Sequence, residues 1–414
     1  MIDLTQIGAR ARASSRALAL ADGEQKNKAL LAMADALVKN ADAILSENKK
    51  DLAAGEQNGL SRALLDRLAL SEERIAGIAE SMRHVVRLPD PVGRVLGKTE
   101  RPNGLRLTKV SVPIGVIAVI FEARPNVTAD SAALCLKSGN AVILRGGKEA
   151  IYSNIALCNT MREALVASGL PADCVQLIES TDRAVTQALM RLNGYVDVLI
   201  PRGGAGLIRA VVENATVPVI ETGAGTCHVY VDREADLAMA AEIVYNAKTS
   251  RPSVCNAAEC MLIDRAIASR AMPLICRRLA EKGVEVRADS TLLPLWEDAR
   301  PMTEEDKGRE YNDYIIAAVS VSGVDEAIEY INRYGTGHSE CIVTENAATA
   351  RRFMQAVDAA AVYHNASTRF TDGGEFGLGA EIGISTQKLH ARGPLGLEEL
   401  TSMKYLVEGT GQTR

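Results

Sequence analysis

The sequence VPIGVIAVIF, residues 112–121, is the longest apolar run in the chain. It is far shorter than the roughly 20 residues that span a bilayer, and it predicts a buried strand over residues 115–121. A helical pattern at 130–137, a strand at 141–144 and a helix at 150–168 follow it. This strand-helix-strand succession predicts an α/β fold with a parallel sheet.

The same alternation extends in both directions from this stretch. Strands are predicted at 196–200 and 217–220, and a second α/β segment covers residues 237–357. The boundary between the two segments is expected near residues 222–236. Before the first strand, apolar residues recur at helical spacing over residues 5–87, which predicts three or four helices.

Two segments outside this alternation have the pattern of exposed strands. Residues 92–112 place alternating apolar residues on both sides of Pro102-Asn103-Gly104, which predicts a hairpin. Residues 401–407 form another strand-like run, which could pair with the hairpin or with the edge of another chain. Each is expected to complete a sheet across a two-fold contact, so a homo-oligomer is predicted.

Length and charge exclude several classes of protein. A prior of about 150 residues per domain gives two or three domains for 414 residues. The 47 basic and 52 acidic residues, with a net charge of −5, argue against a large nucleic-acid footprint. Arg10, Arg12, Arg16 and Asp22 interrupt the N-terminal segment, so no signal peptide is predicted and a cytoplasmic location is expected.

The cysteines and histidines give no sign of a metal site or of disulfides. The eight cysteines contain no C-x-x-C pair, which predicts reduced thiols. The five histidines are scattered, and H-E-x-x-H is absent from the sequence. No metal is therefore predicted, and no membrane partner or nucleic acid is expected.

Two glycine-rich turns follow predicted strands. Gly203 and Gly204 precede a helix, where backbone amides can hold a pyrophosphate, although a plain strand-to-helix turn would have the same sequence. The second turn carries Arg145 and Lys148 and lacks the Ser or Thr after Gly-Lys that a P-loop requires. A dinucleotide site is favoured over ATP hydrolysis.

Cys255 differs from the other cysteines. It lies in a polar loop between a predicted helix and a predicted strand, with Lys248 and Arg251 near it in sequence to favour a thiolate. Position alone leaves open whether it is a nucleophile or a small buried side chain.

Several of these segments together resemble the aldehyde dehydrogenase superfamily over nearly the whole chain. The resemblance lies in the order of Phe121 to Asn126, the turn at Arg145, the turn at Gly203, Glu221-Thr222-Gly223, Cys255 and Glu375-Phe376-Gly377. It implies a Rossmann-type cofactor domain, an α/β catalytic domain and a small β oligomerisation element. The corresponding ranges are 1–91 with 113–228, 229–372, and 92–112 with 395–414.

Three strings, RPSVCNAAE, ETGAGTCHVYVD and YGTGHSECIVTEN, resemble those superfamily members that reduce L-glutamyl 5-phosphate in proline biosynthesis. The resemblance implies that Cys255 attacks the γ-carbonyl and forms a thioester, which NADPH reduces to L-glutamate 5-semialdehyde. Asn126 matches the oxyanion asparagine, with an Asx-type turn residue as the alternative. An upstream glutamate kinase is an expected partner.

The remaining site residues follow from the same resemblance. Glu221 matches the glutamate that activates water in hydrolytic members; here it is either turned away or contacts the nicotinamide side. Glu310 is at the position of the nicotinamide-ribose glutamate, with a solvated surface carboxylate as the alternative. Arg145 and Lys148 form a basic pair suited to the 2′-phosphate of NADP(H). Candidate substrate ligands are Arg124, Arg251 and Ser253.

Two other functions remain open at this point. One is a hydrolytic or CoA-acylating aldehyde dehydrogenase, and the other is a cofactor-binding scaffold without chemistry. The joint presence of Cys255 and Asn126 argues against the scaffold.

Overall fold

The computed structural model describes residues 3–414 and divides into two compact units. The first unit contains the chain up to Thr222, residues 377–383 and residues 395–414. The second unit contains residues 223–376 and 384–394. The assignment of these parts as cofactor and catalytic domains stays a prediction.

The first unit begins with five helices, where the sequence predicts three or four. They are α1 (Leu4–Leu18), α2 (Gly23–Lys39), α3 (Ala41–Gln57), α4 (Arg62–Leu68) and α5 (Glu72–Arg87). The prediction was too low because Asn40 both ends α2 and begins α3, so no Gly or Pro marks the break. Helix starts at Asp22 and Ser71 are capped, since each side chain accepts a hydrogen bond from the amide three residues later.

A parallel four-stranded sheet follows in the first unit. The preceding hairpin contains β1 (Val95–Glu100) and β2 (Arg106–Pro113). The four strands of the sheet are β3 (Val116–Phe121), β4 (Ala141–Arg145), β5 (Val175–Leu177) and β6 (Val198–Arg202). The order is β5-β4-β3-β6, and all six residues of β3 are buried. Its helices are α6 (Asn126–Lys137), α7 (Ile151–Ala167), α8 (Arg183–Leu189) and α9 (Ala205–Asn214).

The apolar run at residues 112–121 is therefore confirmed as a buried strand, which lies between β4 and β6 in the sheet. The predicted strand at 217–220 is wrong, because this segment makes only an isolated bridge between Val219 and Leu199. Pro218 supplies a carbonyl to the Leu199 amide but has no N–H of its own to extend the ladder.

The second unit contains a parallel seven-stranded sheet in the order β10-β9-β11-β8-β7-β12-β13. The strands are β7 (Cys227–Val231), β8 (Ala258–Asp264), β9 (Glu285–Ala288), β10 (Arg300–Pro301), β11 (Ile315–Val321), β12 (Ser339–Val343) and β13 (Ala361–His364), with the antiparallel pair β14 (Ile384–Ser385) and β15 (Gly393–Pro394) outside the sheet. Its helices are α10 (Leu237–Thr249), α11 (Ala268–Ala280), α12 (Val324–Tyr334) and α13 (Ala347–Ala356). Among the described residues, no helix combines the length and apolar character of a membrane span.

The last strand, β16 (Thr401–Glu408), pairs antiparallel with β2 and completes a three-stranded sheet in the order β1-β2-β16. The predicted hairpin is confirmed, and of the two partners expected for the tail the structure shows the hairpin of the same chain. The outer strands are exposed over nearly their whole length, including Leu96, Tyr405 and Val407.

Candidate active site

Cys255 lies in the loop between α10 and β8, as predicted, and it is half-buried. The other seven cysteines are buried. Burial raises the pKa of their thiols, to about 12 for Cys158, Cys174, Cys276 and Cys341. These thiols are protonated at neutral pH, so Cys255 is the cysteine whose surroundings best fit a nucleophile.

The main chain of Cys255 is packed against a glycine. A side-chain carbon added at Gly225 would overlap the carbonyl oxygen of Cys255, so only glycine allows the two backbones to approach this closely. The thiol of Cys227 donates a hydrogen bond to the same carbonyl oxygen, with a Sγ to O distance of 3.2 Å. Burial holds the pKa of Cys227 well above its usual value, so this donor keeps its proton.

The residue after Cys255 is held by a turn far along the chain. Asn256 donates through Nδ2 to the carbonyl of Thr371 at 2.9 Å, and its own carbonyl accepts from Thr368 Oγ1 at 2.7 Å. The guanidinium of Arg369 donates through Nη1 to Asn256 Oδ1 and through Nε to Ser250 Oγ, the latter at 3.0 Å. The loop that carries Cys255 is therefore held at Ser250, before Cys255, and at Asn256, after it.

The expectation that Lys248 favours the thiolate is wrong. Its Nζ lies 2.7 Å from Glu259 Oε2, and both side chains are fully buried. Burial lowers the pKa of Lys248 and raises that of Glu259 to about 7. The ammonium is committed to this pair, and Arg251 is exposed on the loop itself.

Two further predicted residues lie beside this loop in the second unit. Glu310 is half-buried, and its Oε1 accepts a hydrogen bond from the Gly225 amide at 2.9 Å, so it is not a freely solvated carboxylate. Ser253 is half-buried two residues before Cys255. The roles of both residues toward ligands stay predictions.

In the first unit, Asn126 is the first residue of α6. Its Nδ2 donates to Asp130 Oδ2 at 2.9 Å, one helical turn further on. Burial raises the pKa of Asp130 to about 6, against the attraction of the Arg202 guanidinium. The amide of Asn126 is therefore oriented by a carboxyl group that titrates near neutral pH. Arg124 is half-buried two residues earlier.

The two cations of the basic turn after β4 differ in their exposure to solvent. Arg145 is buried and donates to the carbonyls of Gly146 and Thr181 at 2.9 and 3.2 Å. Its Nε is also buried and has no hydrogen-bond partner within residues 3–414. Lys148 is exposed.

The glycine turn before α9 binds a carboxylate oxygen of Glu122 through a backbone amide. The Gly204 amide donates to Glu122 Oε2 at 2.9 Å, and a side-chain carbon at Gly203 would lie 2.6 Å from the same oxygen. The helix dipole favours a negative charge at this place. The turn therefore has the chemistry that a phosphate oxygen requires.

The structure divides the predicted residues between the two units. Glu221 is half-buried near the end of the long first segment of the first unit. The first unit holds Arg124, Asn126, Arg145, Lys148, Gly203, Gly204 and Glu221, and the second holds Arg251, Ser253, Cys255 and Glu310.

Sequence reasoning missed five residues that the structure places at these features. They are Glu122, Asp130, Gly225, Asn256 and Arg369. Gly225 and Asn256 could have been found, because they stand within the strings ETGAGTCHVYVD and RPSVCNAAE. Within the described part of the chain, no group of three or more His, Cys, Asp or Glu side chains is arranged to hold a metal ion.

Comparison with known proteins gives concordant results. The family model described as "Aldehyde dehydrogenase family" matches residues 3–320 and 310–405. A gamma-glutamyl phosphate reductase of Clostridium botulinum (strain Alaska E43 / Type E3) is 56% identical over 414 residues, which is 100% of both chains. The protein of that name from Carboxydothermus hydrogenoformans is 57% identical, also over 100% of both chains.

A solved structure agrees with the sequence comparisons. The crystal structure of a gamma-glutamyl phosphate reductase from Thermotoga maritima superposes with a TM-score of 0.98 at 47% identity, covering 100% of both chains.

Proposed function

The chain belongs to the aldehyde dehydrogenase family, and within it to the gamma-glutamyl phosphate reductases. From this membership we propose that it reduces L-glutamyl 5-phosphate to L-glutamate 5-semialdehyde and phosphate, with NADPH as the reductant. The observation that carries the proposal is the half-buried Cys255 thiol on a loop fixed by Gly225 and Asn256. This reaction belongs to the formation of proline from glutamate.

Cys255 supplies the covalent chemistry in this proposal. Its thiolate attacks the γ-carbonyl carbon, the bond to the phosphate oxygen breaks, and a thioester and inorganic phosphate result. After reduction of the thioester, the sulfur leaves as thiolate and the semialdehyde is released. The fixed main chain of Cys255 limits the motion of the sulfur, which favours a productive distance to the carbonyl.

Asn126 is proposed to stabilise the negative oxygen of the tetrahedral intermediates that form before and after the thioester. The support is the position of Asn126 at the start of α6, where its side-chain amide is oriented by Asp130. One Nδ2 proton goes to Asp130, which leaves the second for the oxyanion.

NADP(H) is the proposed cofactor, and the residues of the first unit fit it. Gly203 and Gly204 would hold the pyrophosphate, since their turn already binds a carboxylate oxygen. Arg145, with its unpartnered buried Nε, and the exposed Lys148 would hold the 2′-phosphate. The cofactor supplies the hydride when bound.

This cofactor assignment has a direct test. Replacing Arg145 and Lys148 by Met should weaken NADPH at least tenfold more than NADH, because only NADPH carries the 2′-phosphate. The Michaelis constants of both cofactors measure this. Equal losses would contradict the assignment.

The remaining residues have narrower proposed roles. Glu310 contacts the nicotinamide ribose, and Arg124, Arg251 and Ser253 bind the charged groups of the substrate. Glu221 is not used to activate water, since hydrolysis of the thioester would lose the semialdehyde.

The test of the function is the reverse reaction. The protein should reduce NADP⁺ with glutamate 5-semialdehyde only when inorganic phosphate is present. Turnover without phosphate, or turnover that requires coenzyme A instead, would replace the proposal with a hydrolytic or CoA-acylating activity. Absence of turnover in all three assays would support the scaffold.

We further propose that the enzyme works as a cytoplasmic homo-oligomer. The sheet β1-β2-β16 exposes apolar side chains on its outer strands, which favours covering by a second copy. The buried thiols of the other seven cysteines fit a reducing compartment.

A glutamate kinase is the proposed upstream partner. Acyl phosphates hydrolyse readily in water, so direct transfer of L-glutamyl 5-phosphate from the kinase to this enzyme would limit its loss.

A further inference from the structure

Arg369 is a half-buried cation that the proposed reaction has not used. It lies in the single turn Thr368–Phe370 of the second unit. Its guanidinium donates to Asn256 Oδ1, while Asn256 Nδ2 donates back to the Arg369 carbonyl at 3.3 Å. Arg369 and Asn256 therefore bind each other through both side chain and main chain, directly beside the nucleophile.

The charge of Arg369 lies against the loop that carries Cys255, since its guanidinium contacts Asn256 Oδ1 and Ser250 Oγ. Burial and the neighbouring Arg251 lower the pKa of Arg369, whereas Asp372, Cys255 and Cys227 act in the opposite direction. The favourable interaction is mutual, so the guanidinium stabilises the negative form of the thiol. Arginine stays protonated in spite of the burial, because its ordinary pKa is far above neutral.

Two other cations near the loop are placed differently from Arg369. Lys248 is paired with Glu259, and Arg251 is exposed to water. The groups facing the loop and its support are Cys227, Arg251, Asp372, His338, the pair Lys248–Glu259 and the buried pair His228–Glu340.

We propose that Arg369 is the positioning residue of the nucleophile: it fixes the Cys255 loop through Asn256 and supplies the positive charge that favours the Cys255 thiolate. The inference rests on the proposed function only in taking Cys255 as the nucleophile. A purely structural arginine would hold the loop without changing the ionisation of the thiol.

Alkylation of Cys255 by iodoacetamide measures this ionisation directly, in the intact protein and without substrate or cofactor. The rate is followed as a function of pH, and mass spectrometry of the peptide that contains Cys255 separates it from the buried cysteines. Arg369→Gln should raise the midpoint of the pH profile by about one unit and slow alkylation at pH 7 about tenfold. Arg369→Lys, which keeps the charge, should restore most of the loss.

A matched control is Arg352→Gln, which removes an exposed arginine paired with Asp325 on the surface of the same unit and should leave the profile unchanged. An unchanged midpoint in folded Arg369→Gln would overturn the proposal. If this variant does not fold, Asn256→Ala decides: it removes the side-chain acceptor that holds the guanidinium against the loop, so it should raise the midpoint, and an unchanged midpoint would overturn the proposal. Failure of the phosphate-dependent assay would contradict the proposed function but leave these profiles as they are.

Discussion

The Cys255 loop and the start of α6 carry the two proposed catalytic groups, and they are held in different ways. The loop is fixed by main-chain contact with Gly225 and by hydrogen bonds of Asn256. The Asn126 amide is oriented by one bond to Asp130, whose pKa of about 6 lies within the working range of most enzymes. The main chain at Cys255 therefore depends on close packing, whereas the Asn126 side chain depends on one hydrogen bond to a titratable group.

The largest effect is expected from Cys255→Ala. A methyl group cannot form the thioester, so turnover should be abolished while the far-ultraviolet circular dichroism spectrum stays that of the parent. Phosphate-dependent NADP⁺ reduction measures the loss. The control is Cys260→Ala, a buried cysteine of β8 that should keep turnover within a few-fold. Comparable loss in both variants would move the chemistry away from Cys255.

Asn126→Ala should lower kcat by about 10²–10³-fold, because loss of one oxyanion donor has this effect in other enzymes. The far-ultraviolet circular dichroism spectrum should stay that of the parent, since Asn126 is exposed at the start of α6. A variant with nearly parental kcat would show that Asn126 only ends the turn before α6.

Gly225→Ala tests whether close packing against Gly225 holds the Cys255 loop in place. The added methyl group collides with the Cys255 carbonyl, so the loop must move, and a displacement of about 1 Å is expected to cost about 10²-fold in kcat. The control is Gly77→Ala in α5, where an added carbon meets no atom within 4 Å among the described residues. This control should gain up to about 1 kcal/mol in the free energy of unfolding, because alanine favours the helix. Full activity of Gly225→Ala would show that the loop tolerates displacement.

The smallest effect is expected from Asp130→Asn and concerns pH. The folded state raises the pKa of this carboxyl from 3.8 to about 6, so it binds the proton more tightly than the unfolded state does. Its contribution to stability is therefore lost as the pH rises from 3.8 to about 6. Above pH 6, Asp130→Asn should be more stable than the parent by about 1–3 kcal/mol in urea unfolding, and the two should converge near pH 4. The control is Asp325→Asn, an exposed carboxyl paired with Arg352, which should change the free energy of unfolding by no more than about 0.5 kcal/mol.

Local pattern was sufficient for the elements whose stability is local. The apolar run of β3, the hairpin turn at Pro102-Asn103-Gly104 and the polar loop of Cys255 could all be recognised in the sequence. Strand β7 could not, because its His228 interrupts the apolar pattern. The structure buries this histidine by pairing it with Glu340, 112 residues later.

The supporting residues of the site were missed for the same reason. The partner that neutralises Lys248 is Glu259 on the next strand, and the arginine that holds Asn256 follows it by 113 residues. When a charged side chain pairs with a residue from another strand or helix, the sequence around that side chain does not show the partner. The loop position of Cys255 was therefore predictable, while the residues that hold the loop were not.

The pairing of β16 with β2 also sets an order of events during synthesis. Thr401–Glu408 pairs with Arg106–Pro113 from the first third of the chain, so β16 is synthesised long after the two strands of the hairpin. Until then β1 and β2 form a two-stranded ribbon, which is marginally stable alone. The three-stranded sheet therefore forms only after β16 has been synthesised, and a chain terminated before Thr401 keeps the marginally stable two-stranded ribbon.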